Sequence, residues 1–188
     1  MKTNIVAFLL GAILITACGG SASEQEQAKN EMESLAHRID SLEQVLFSHE
    51  SRVDREAAAQ LLQSYIKFVD TYPTDERAPH FLYKGAGIAR GVGVHNRAIE
   101  MYFRILDDYP DFGKDPEIYF LIAFTLDNDV KDIEGAKGMY NEVIARFPDH
   151  EFAVQAEERL KTIDLTDEEL IELFMQRNAE AEAGAAGS

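Results

Sequence analysis

One pattern of apolar residues occurs three times along the chain, and each occurrence ends at a proline. These prolines, Pro73, Pro110 and Pro148, are 37 and 38 residues apart. A tyrosine stands eight residues before each of them, and apolar residues stand four, five and twelve residues before. The offsets fall on one face of a helix, and proline lacks the N–H that would continue it. The pattern therefore predicts three amphipathic helices that stop at the three prolines.

A second helical pattern follows each of the first two prolines. Nine, twelve and thirteen residues after the proline stand Leu82, Gly85 and Ala86 in one case and Tyr119, Ile122 and Ala123 in the other. Small residues among them let two helices approach closely, while the large ones fill the space beside them. Each unit is then a helix–turn–helix pair that cannot bury its apolar face alone, so we expect the units to stack.

These units resemble the tetratricopeptide repeat, whose signature runs from a large residue through Leu-Gly or Ile-Ala to Ala, an aromatic and a terminal Pro. The later part of that signature is present as Ala98, Tyr102 and Pro110, and again as Ala136, Tyr140 and Pro148. The chain departs from the family in its period, which exceeds the usual length of about 34 residues. It also has Ala89 and Leu126 where the family prefers tyrosine. The resemblance covers residues 53–163 and implies an all-α, tetratricopeptide-like helical-hairpin solenoid.

The segment before the repeats, residues 24–52, has a narrow apolar stripe with heptad spacing. Its members, spaced 3, 4, 3 and 4 residues apart, are Met32, Leu35, Ile39, Leu42 and Leu46. A narrow stripe of this kind predicts an N-terminal heptad helix that resembles a coiled-coil strand. Two interpretations stay open: self-association of chains through residues 24–53, giving a homo-oligomer, or packing of the helix against the domain that follows.

Two further helices are predicted at the C-terminal end. Residues 151–163 have an apolar stripe that would close the stack, and residues 164–182 predict an amphipathic helix in which Thr166 and Glu169 have capping-box spacing. The apolar residues of this last helix need a docking surface on the solenoid or on a partner; they are Leu170, Ile171, Leu173, Phe174 and Met175. The final residues are small, which predicts a disordered tail at 183–188.

The start of the chain has the features of an export signal. Lys2 precedes an apolar run at 5–15 that is too short to span a membrane, so residues 1–17 predict a signal peptide. The residues Ile15-Thr16-Ala17-Cys18 resemble the lipobox of bacterial lipoproteins. That resemblance implies acylation of Cys18, with palmitate among the acyl chains that anchor it. The alternative is an ordinary secretory signal with an incidental cysteine.

Lipidation would determine where the rest of the chain lies. Residues 18–23 would form a flexible tether between the lipidated cysteine and the helices. By the same resemblance, Gly19 favours the outer membrane of the bacterial cell envelope, with the chain facing the periplasm. The membrane is then reached through the lipid anchor.

Composition excludes several classes of function. The chain has 34 acidic and 18 basic residues and a net charge of −16, which argues against a nucleic-acid partner because phosphate contacts need a surplus of Lys and Arg. Its single cysteine excludes an internal disulfide and any metal site with several cysteine ligands. The five histidines are scattered without metal-ligand spacing, and the polar run at 127–131 is better interpreted as an inter-helix loop than as a calcium loop. We therefore predict no catalytic residue, no metal, no cofactor and no enzymatic activity.

A partner-binding surface is what remains. In tetratricopeptide domains the first helix of each unit lines the concave side, and the resemblance carries that role to His80, Tyr83, Gly87, Arg90, Glu117, Phe120, Phe124 and Asp127. Large aromatic residues at such positions suit a peptide or a partner helix. The alternative is that the N-terminal or C-terminal helix of the same chain covers them.

The expected function is that of a lipid-anchored envelope scaffold or adaptor. It would bind cell-envelope proteins or peptides through the solenoid. The chain is similar to the lipoproteins of outer-membrane β-barrel assembly and to the coiled-coil and tetratricopeptide coordinators associated with the Tol–Pal system. These resemblances imply outer-membrane protein assembly or the organisation of envelope complexes. Alternatives are a coordinator that self-assembles through its coiled coil, and a recruiter of peptidoglycan-active enzymes.

Overall fold

The computed structural model describes residues 22–48 and 54–186, and within these ranges the chain is helical without a strand. The all-α prediction is thus confirmed for the described residues. The helices are α1 (Ala22–Phe47), α2 (Arg55–Thr71), α3 (Ala78–Gly91), α4 (His95–Asp108), α5 (Asp115–Thr125), α6 (Ile133–Arg146), α7 (Glu151–Leu160) and α8 (Asp167–Ala186). A short 3-10 helix, Pro110–Phe112, precedes α5, and a π-helical turn, Leu126–Val130, follows it.

The ends of α2, α4 and α6 share one geometry. Each helix stops one residue before an aromatic residue, Tyr72, Tyr109 or Phe147, and a proline follows directly. The aromatic residues have φ between −128° and −133° and ψ between 54° and 60°, and each backbone N–H donates to the carbonyl four residues earlier. The prolines therefore end the helices as predicted, because proline disfavours a helical conformation in the residue before it.

Helices that follow one another in the chain pack against one another from α1 to α7. The tyrosines of the repeated pattern, Tyr65, Tyr102 and Tyr140, are all buried, as are Leu82, Ala86 and Ala123. A Cβ added at Gly85 would collide with the Cε of Met101 on α4. The small residue at this position therefore permits the close approach of α3 and α4, as the sequence predicts.

The heptad helix α1 packs against α2 of its own chain. Ala36, Ile39 and Leu46 are buried in the same core as α2 and α3, and Met32 and Leu42 lie partly buried beside it. The Tyr65 hydroxyl donates a 2.6 Å hydrogen bond to Glu43 across this contact. In the structure, the apolar stripe of α1 therefore packs against the domain that follows, which is the second of the two interpretations given above.

The connections between paired helices differ along the chain. Between α3 and α4 the chain turns at Gly93, whose φ is +88°, a value that side chains disfavour. Between α5 and α6 the predicted polar loop at 127–131 is instead mostly a π-helical turn, which ends at Lys131 with φ 66°. A π turn inserts a residue into the helix and redirects the side chains that follow.

The last helix begins as predicted but does not dock. The Thr166 backbone N–H donates to the Glu169 carboxylate at 2.8 Å, and the Glu169 N–H donates to the Thr166 hydroxyl at 3.3 Å, which completes the capping box. Within the described chain α8 makes only sparse contact with the other helices. The sequence predicted a disordered tail at 183–188, whereas in the structure α8 continues to Ala186.

Several predictions concern residues outside the described ranges. The signal peptide at 1–17, the lipidation site Cys18 and the first part of the tether lie there, as do residues 49–53. The tether predicted at 18–23 overlaps α1, which already includes Ala22 and Ser23. Among the described helices, none is both long enough and apolar enough to cross a membrane.

Candidate functional site

Most of the predicted partner-binding residues lie together on one surface of α3 and α5. We call Tyr83, Arg90, Glu117, Phe120 and Phe124 the aromatic face. The Tyr83 hydroxyl on α3 donates a short hydrogen bond to the Glu117 carboxylate on α5. Lys114 also donates to Glu117, at 2.7 Å, and its ammonium lies 5.0 Å from the centre of the Tyr83 ring. Tyr83 thus joins α3 to α5, because its hydroxyl and its ring both contact residues at the start of α5.

Arg90 forms the second connection across the face. Its guanidinium lies 4.5 Å from the centre of the Phe124 ring, in a cation–π arrangement. Its Nε donates to Asp129 of the π turn at 2.5 Å. About a third of the Arg90 side chain remains exposed (31%), so the residue is held in place yet accessible.

Phe120 and Phe124 extend the face toward α7. Their ring centres are 6.3 Å apart, and the ring centre of Phe120 lies 5.1 Å from that of Phe152 on α7. Both phenylalanines are partly buried rather than fully exposed. A helix of the same chain, α7, therefore covers part of the face, and the remainder stays open.

Asp127 corrects the prediction, because it does not belong to an accessible surface. Its side chain is 1% exposed. Both carboxylate oxygens accept hydrogen bonds from Arg159 on α7, at 2.5 and 2.8 Å, and the Tyr140 hydroxyl donates to one of them at 3.3 Å. The π turn directs this carboxylate inward, where it attaches α7 to the helices before it.

His80 lies at the edge of the aromatic face. It is exposed, and its ring meets the edge of Phe112 at 5.0 Å between ring centres. Phe112 in turn lies 6.1 Å from the Tyr83 ring, so His80 is connected to the face through one aromatic residue.

Two contacts in this region join a side chain of one unit to the unit that follows. Tyr83 bonds to Glu117, 34 residues later, and Asp127 bonds to Arg159, 32 residues later. The repeated pattern did not indicate the contacting residues Lys114, Asp129, Phe152 and Arg159. Opposite charges 32 residues apart, somewhat less than one repeat, could have indicated the pair Asp127 and Arg159. No comparable pattern indicates Phe152.

Burial and hydrogen bonding set the charge states on this face. Burial raises the pKa of Tyr83, and the bond to Glu117 raises it further. Burial acts to raise the pKa of Glu117, but the hydrogen bonds from Lys114 and Tyr83 outweigh it, so that pKa is lowered. The hydrogen bond to Asp127 raises the pKa of Arg159. At neutral pH the face therefore presents a neutral tyrosine and a carboxylate, while Arg159, outside the face, stays charged.

Among the described residues no three His, Cys, Asp or Glu side chains are placed to hold a metal ion. A scan of the chain against protein-family models finds no match, and a search of curated proteins finds no similar sequence. What the chain binds must therefore be inferred from its own surface.

Proposed function

We propose that this chain is an adaptor of the bacterial cell envelope, anchored by lipid at Cys18, that binds a protein or peptide partner on the aromatic face. One observation carries the proposal. The face combines partly exposed aromatic rings with a guanidinium and a carboxylate that are already fixed by neighbours, so little side-chain entropy is lost on binding. Interfaces are enriched in aromatic residues and Arg for this reason.

We also propose that α1 to α7 form a tetratricopeptide-like solenoid. The support is the shared geometry of the three helix ends, the sequential packing and the small residue Gly85 at a close helix contact. Stacked helix pairs of this kind present one continuous surface made from alternate helices. The aromatic face, built from the alternate helices α3 and α5, has that arrangement.

Binding through the face can be tested by substituting Phe124. The full chain and its Phe124→Ala variant are each purified from envelope membranes, and the proteins that co-purify are quantified. Phe103→Ala is the matched control, because Phe103 is an exposed phenylalanine on α4 that is not part of the aromatic face. Loss of a partner with Phe124→Ala alone supports the proposal. Equal recovery with all three chains contradicts it, provided that circular dichroism shows the variants folded.

Membrane attachment has a separate test. Growth with an alkyne analogue of palmitate should label the full chain, whereas Cys18→Ser should be unlabelled and released into the soluble fraction. Label retained by Cys18→Ser would contradict acylation at this residue. The position of the lipid suits outer-membrane protein assembly or the organisation of envelope complexes, which are the processes we propose for the adaptor.

Self-assembly through residues 24–53 receives no support from the packing of α1. The heptad positions Ile39 and Leu46 are buried within the chain, so a coiled coil between copies would first have to separate α1 from α2. The adaptor is for this reason the function that we favour.

A further inference from the structure

Two apolar surfaces within the described part of the chain lie without a partner in the structure, and the first is on α8. Ile171, Phe174 and Met175 are 59%, 53% and 69% exposed. Their spacing places them on neighbouring positions of the helix surface, within one turn. Acidic residues flank them at Glu168 and Glu172. An exposed cluster of this size on a helix with acidic neighbours is typical of a segment that docks into a groove.

The second surface is a groove between the end of α1 and the second half of α3. It has a volume of about 370 Å³. Its apolar walls come from Leu46 and Phe47 on α1, from Ile88 on α3 and from Val92, the residue after α3. Gly87 and Gly91, one helical turn apart, also line it, and a Cβ built on either would meet nothing within 4 Å. We call this the glycine groove; the space above its two glycines admits another helix at close range.

Charge favours an acidic helix as the occupant. Lys84 borders the glycine groove, and its ammonium contacts both oxygens of Glu43, at 2.9 and 3.1 Å. An ammonium has three donors, and half of this side chain is exposed (51%), so it can bind a further carboxylate. The carboxylates beside the exposed residues of α8 supply that partner.

We propose that the glycine groove receives α8 of a second copy of this chain, with Phe174 entering between α1 and α3. Both halves of the contact, an apolar groove bordered by a cation and an apolar helix flanked by carboxylates, are present on one chain. A foreign occupant of the groove would leave α8 exposed. In a two-fold dimer each copy gives one helix and one groove, so the contact forms twice. The proposal does not depend on lipid attachment or on the aromatic face.

Cysteine cross-linking between two tagged chains tests the pairing. Full chains with Gly87→Cys and with Phe174→Cys, each with its own epitope tag, are co-expressed, and the intact cells are treated with an oxidant. The control pairs Gly138→Cys with Phe174→Cys. The yield of covalent dimer with both tags should be at least about tenfold higher for the Gly87→Cys pair than for this control, since about 1.4 kcal/mol of specific contact energy gives a tenfold difference. Gly138 is the matched control, because it is also an exposed helical glycine with nothing within 4 Å of a built Cβ.

Filling the groove provides an independent test. Gly87→Leu should keep the fold, because its Cβ has open space and leucine favours a helix over glycine. Sedimentation of the full chain in matched detergent should show a monomer–dimer equilibrium that Gly87→Leu weakens by about 30-fold, the effect of losing a central anchor. Gly138→Leu should leave it unchanged.

Four outcomes would overturn the proposal. They are equal cross-linking of the two cysteine pairs, monomers at every concentration, a disulfide that forms only when Gly87→Cys and Phe174→Cys are introduced into the same chain, and adducts with a foreign protein alone. The third would show that α8 docks in its own chain, and the fourth would assign the groove to another partner.

Discussion

The helix pairs α3–α4 and α5–α6 follow the same sequence pattern but present different surfaces. Fourteen residues after the preceding proline, the first pair has Gly87 and the second has Phe124. Three residues further, the first has Arg90 and the second Asp127. Gly87 leaves an open groove, whereas Phe124 lies under the guanidinium of Arg90. Arg90 stays partly exposed, whereas Asp127 is buried against Arg159.

The difference shows which positions of a repeated pattern are free to vary. The tyrosine before each proline and the small residues of the helix contacts are buried in both pairs, because they fill the space between helices whatever lies outside. The positions that face the next unit are not restricted in this way. They can hold a gap, an aromatic ring or a charge, and so determine what each pair can bind.

The largest expected effect is that of Asp127→Ala. The substitution removes a buried carboxylate and leaves the Arg159 guanidinium and the Tyr140 hydroxyl without their acceptor, which should lower the free energy of unfolding by about 2–4 kcal/mol. Urea unfolding followed by circular dichroism measures it. Arg90→Ala at the equivalent position should cost less than about 1 kcal/mol, because its ion pair is partly exposed. Equal losses would show that the two positions do not differ as described.

Gly85→Ile makes the first pair resemble the second, which has Ile122 at this position. The added side chain would collide with Met101, and Tyr65 already lies 3.3 Å from a built Cβ. We expect a loss of about 1–3 kcal/mol, as for other overpacked cores. Gly138→Ala, in a helix with open space, should instead stabilise the chain by about 0.5–1 kcal/mol. If Gly85→Ile left the free energy of unfolding unchanged, the α3–α4 contact would be looser than the structure indicates. Both variants are compared by thermal unfolding.

Substitutions at Gly93 and at Lys131, the two turn residues with positive φ, should change the free energy of unfolding in opposite directions. Gly93→Ala forces a side chain into a positive φ and should cost about 1 kcal/mol, whereas Lys131→Gly relieves that conformation and should gain up to about 1 kcal/mol. Differential scanning calorimetry of the two variants measures both changes. A gain for Gly93→Ala would contradict the left-handed conformation of that residue.

The smallest effect at neutral pH concerns the equivalent tyrosines Tyr102 and Tyr140. Burial raises the pKa of Tyr102 to about 12, and burial followed by the charge of Asp127 raises that of Tyr140. A pKa raised on folding stabilises the chain fully below the unfolded value, about 10, and that stability is lost as the pH rises above it. Tyr102→Phe should therefore unfold less readily than the parent chain above about pH 10.

Tyr140→Phe separates the two tyrosines. Like Tyr102→Phe, it should make the chain less sensitive to unfolding at alkaline pH. At neutral pH, however, its free energy of unfolding should be lower by about 1 kcal/mol, because the hydrogen bond to Asp127 is removed. Urea unfolding at neutral pH and about one unit above the ordinary tyrosine pKa provides both values. Identical behaviour of the two variants at neutral pH would argue that the hydroxyl of Tyr140 contributes nothing to the buried ion pair.

Particular residues show how far the pattern could predict the structure. Pro73, Pro110 and Pro148 predicted three helix ends that the structure confirms, because proline acts on its own backbone and on the residue before it. Thr166 and Glu169 predicted a capping box for the same local reason. Asp127 was assigned wrongly to an accessible surface, because its buried carboxylate binds Arg159, which lies on another helix 32 residues later in the chain.

The sequence by itself determined most of the helices, the three helix ends at the prolines and the buried residues of the repeated pattern, since these depend on backbone geometry and on apolar spacing within a few turns. The tertiary structure decided three other matters: that α1 packs in its own chain, that the aromatic face is fixed by ion pairs, and that α8 and the glycine groove stay open. Each of these depends on the distance between residues far apart in the chain. Apolar spacing identifies the buried side of a helix, but it does not identify the helix that will cover that side.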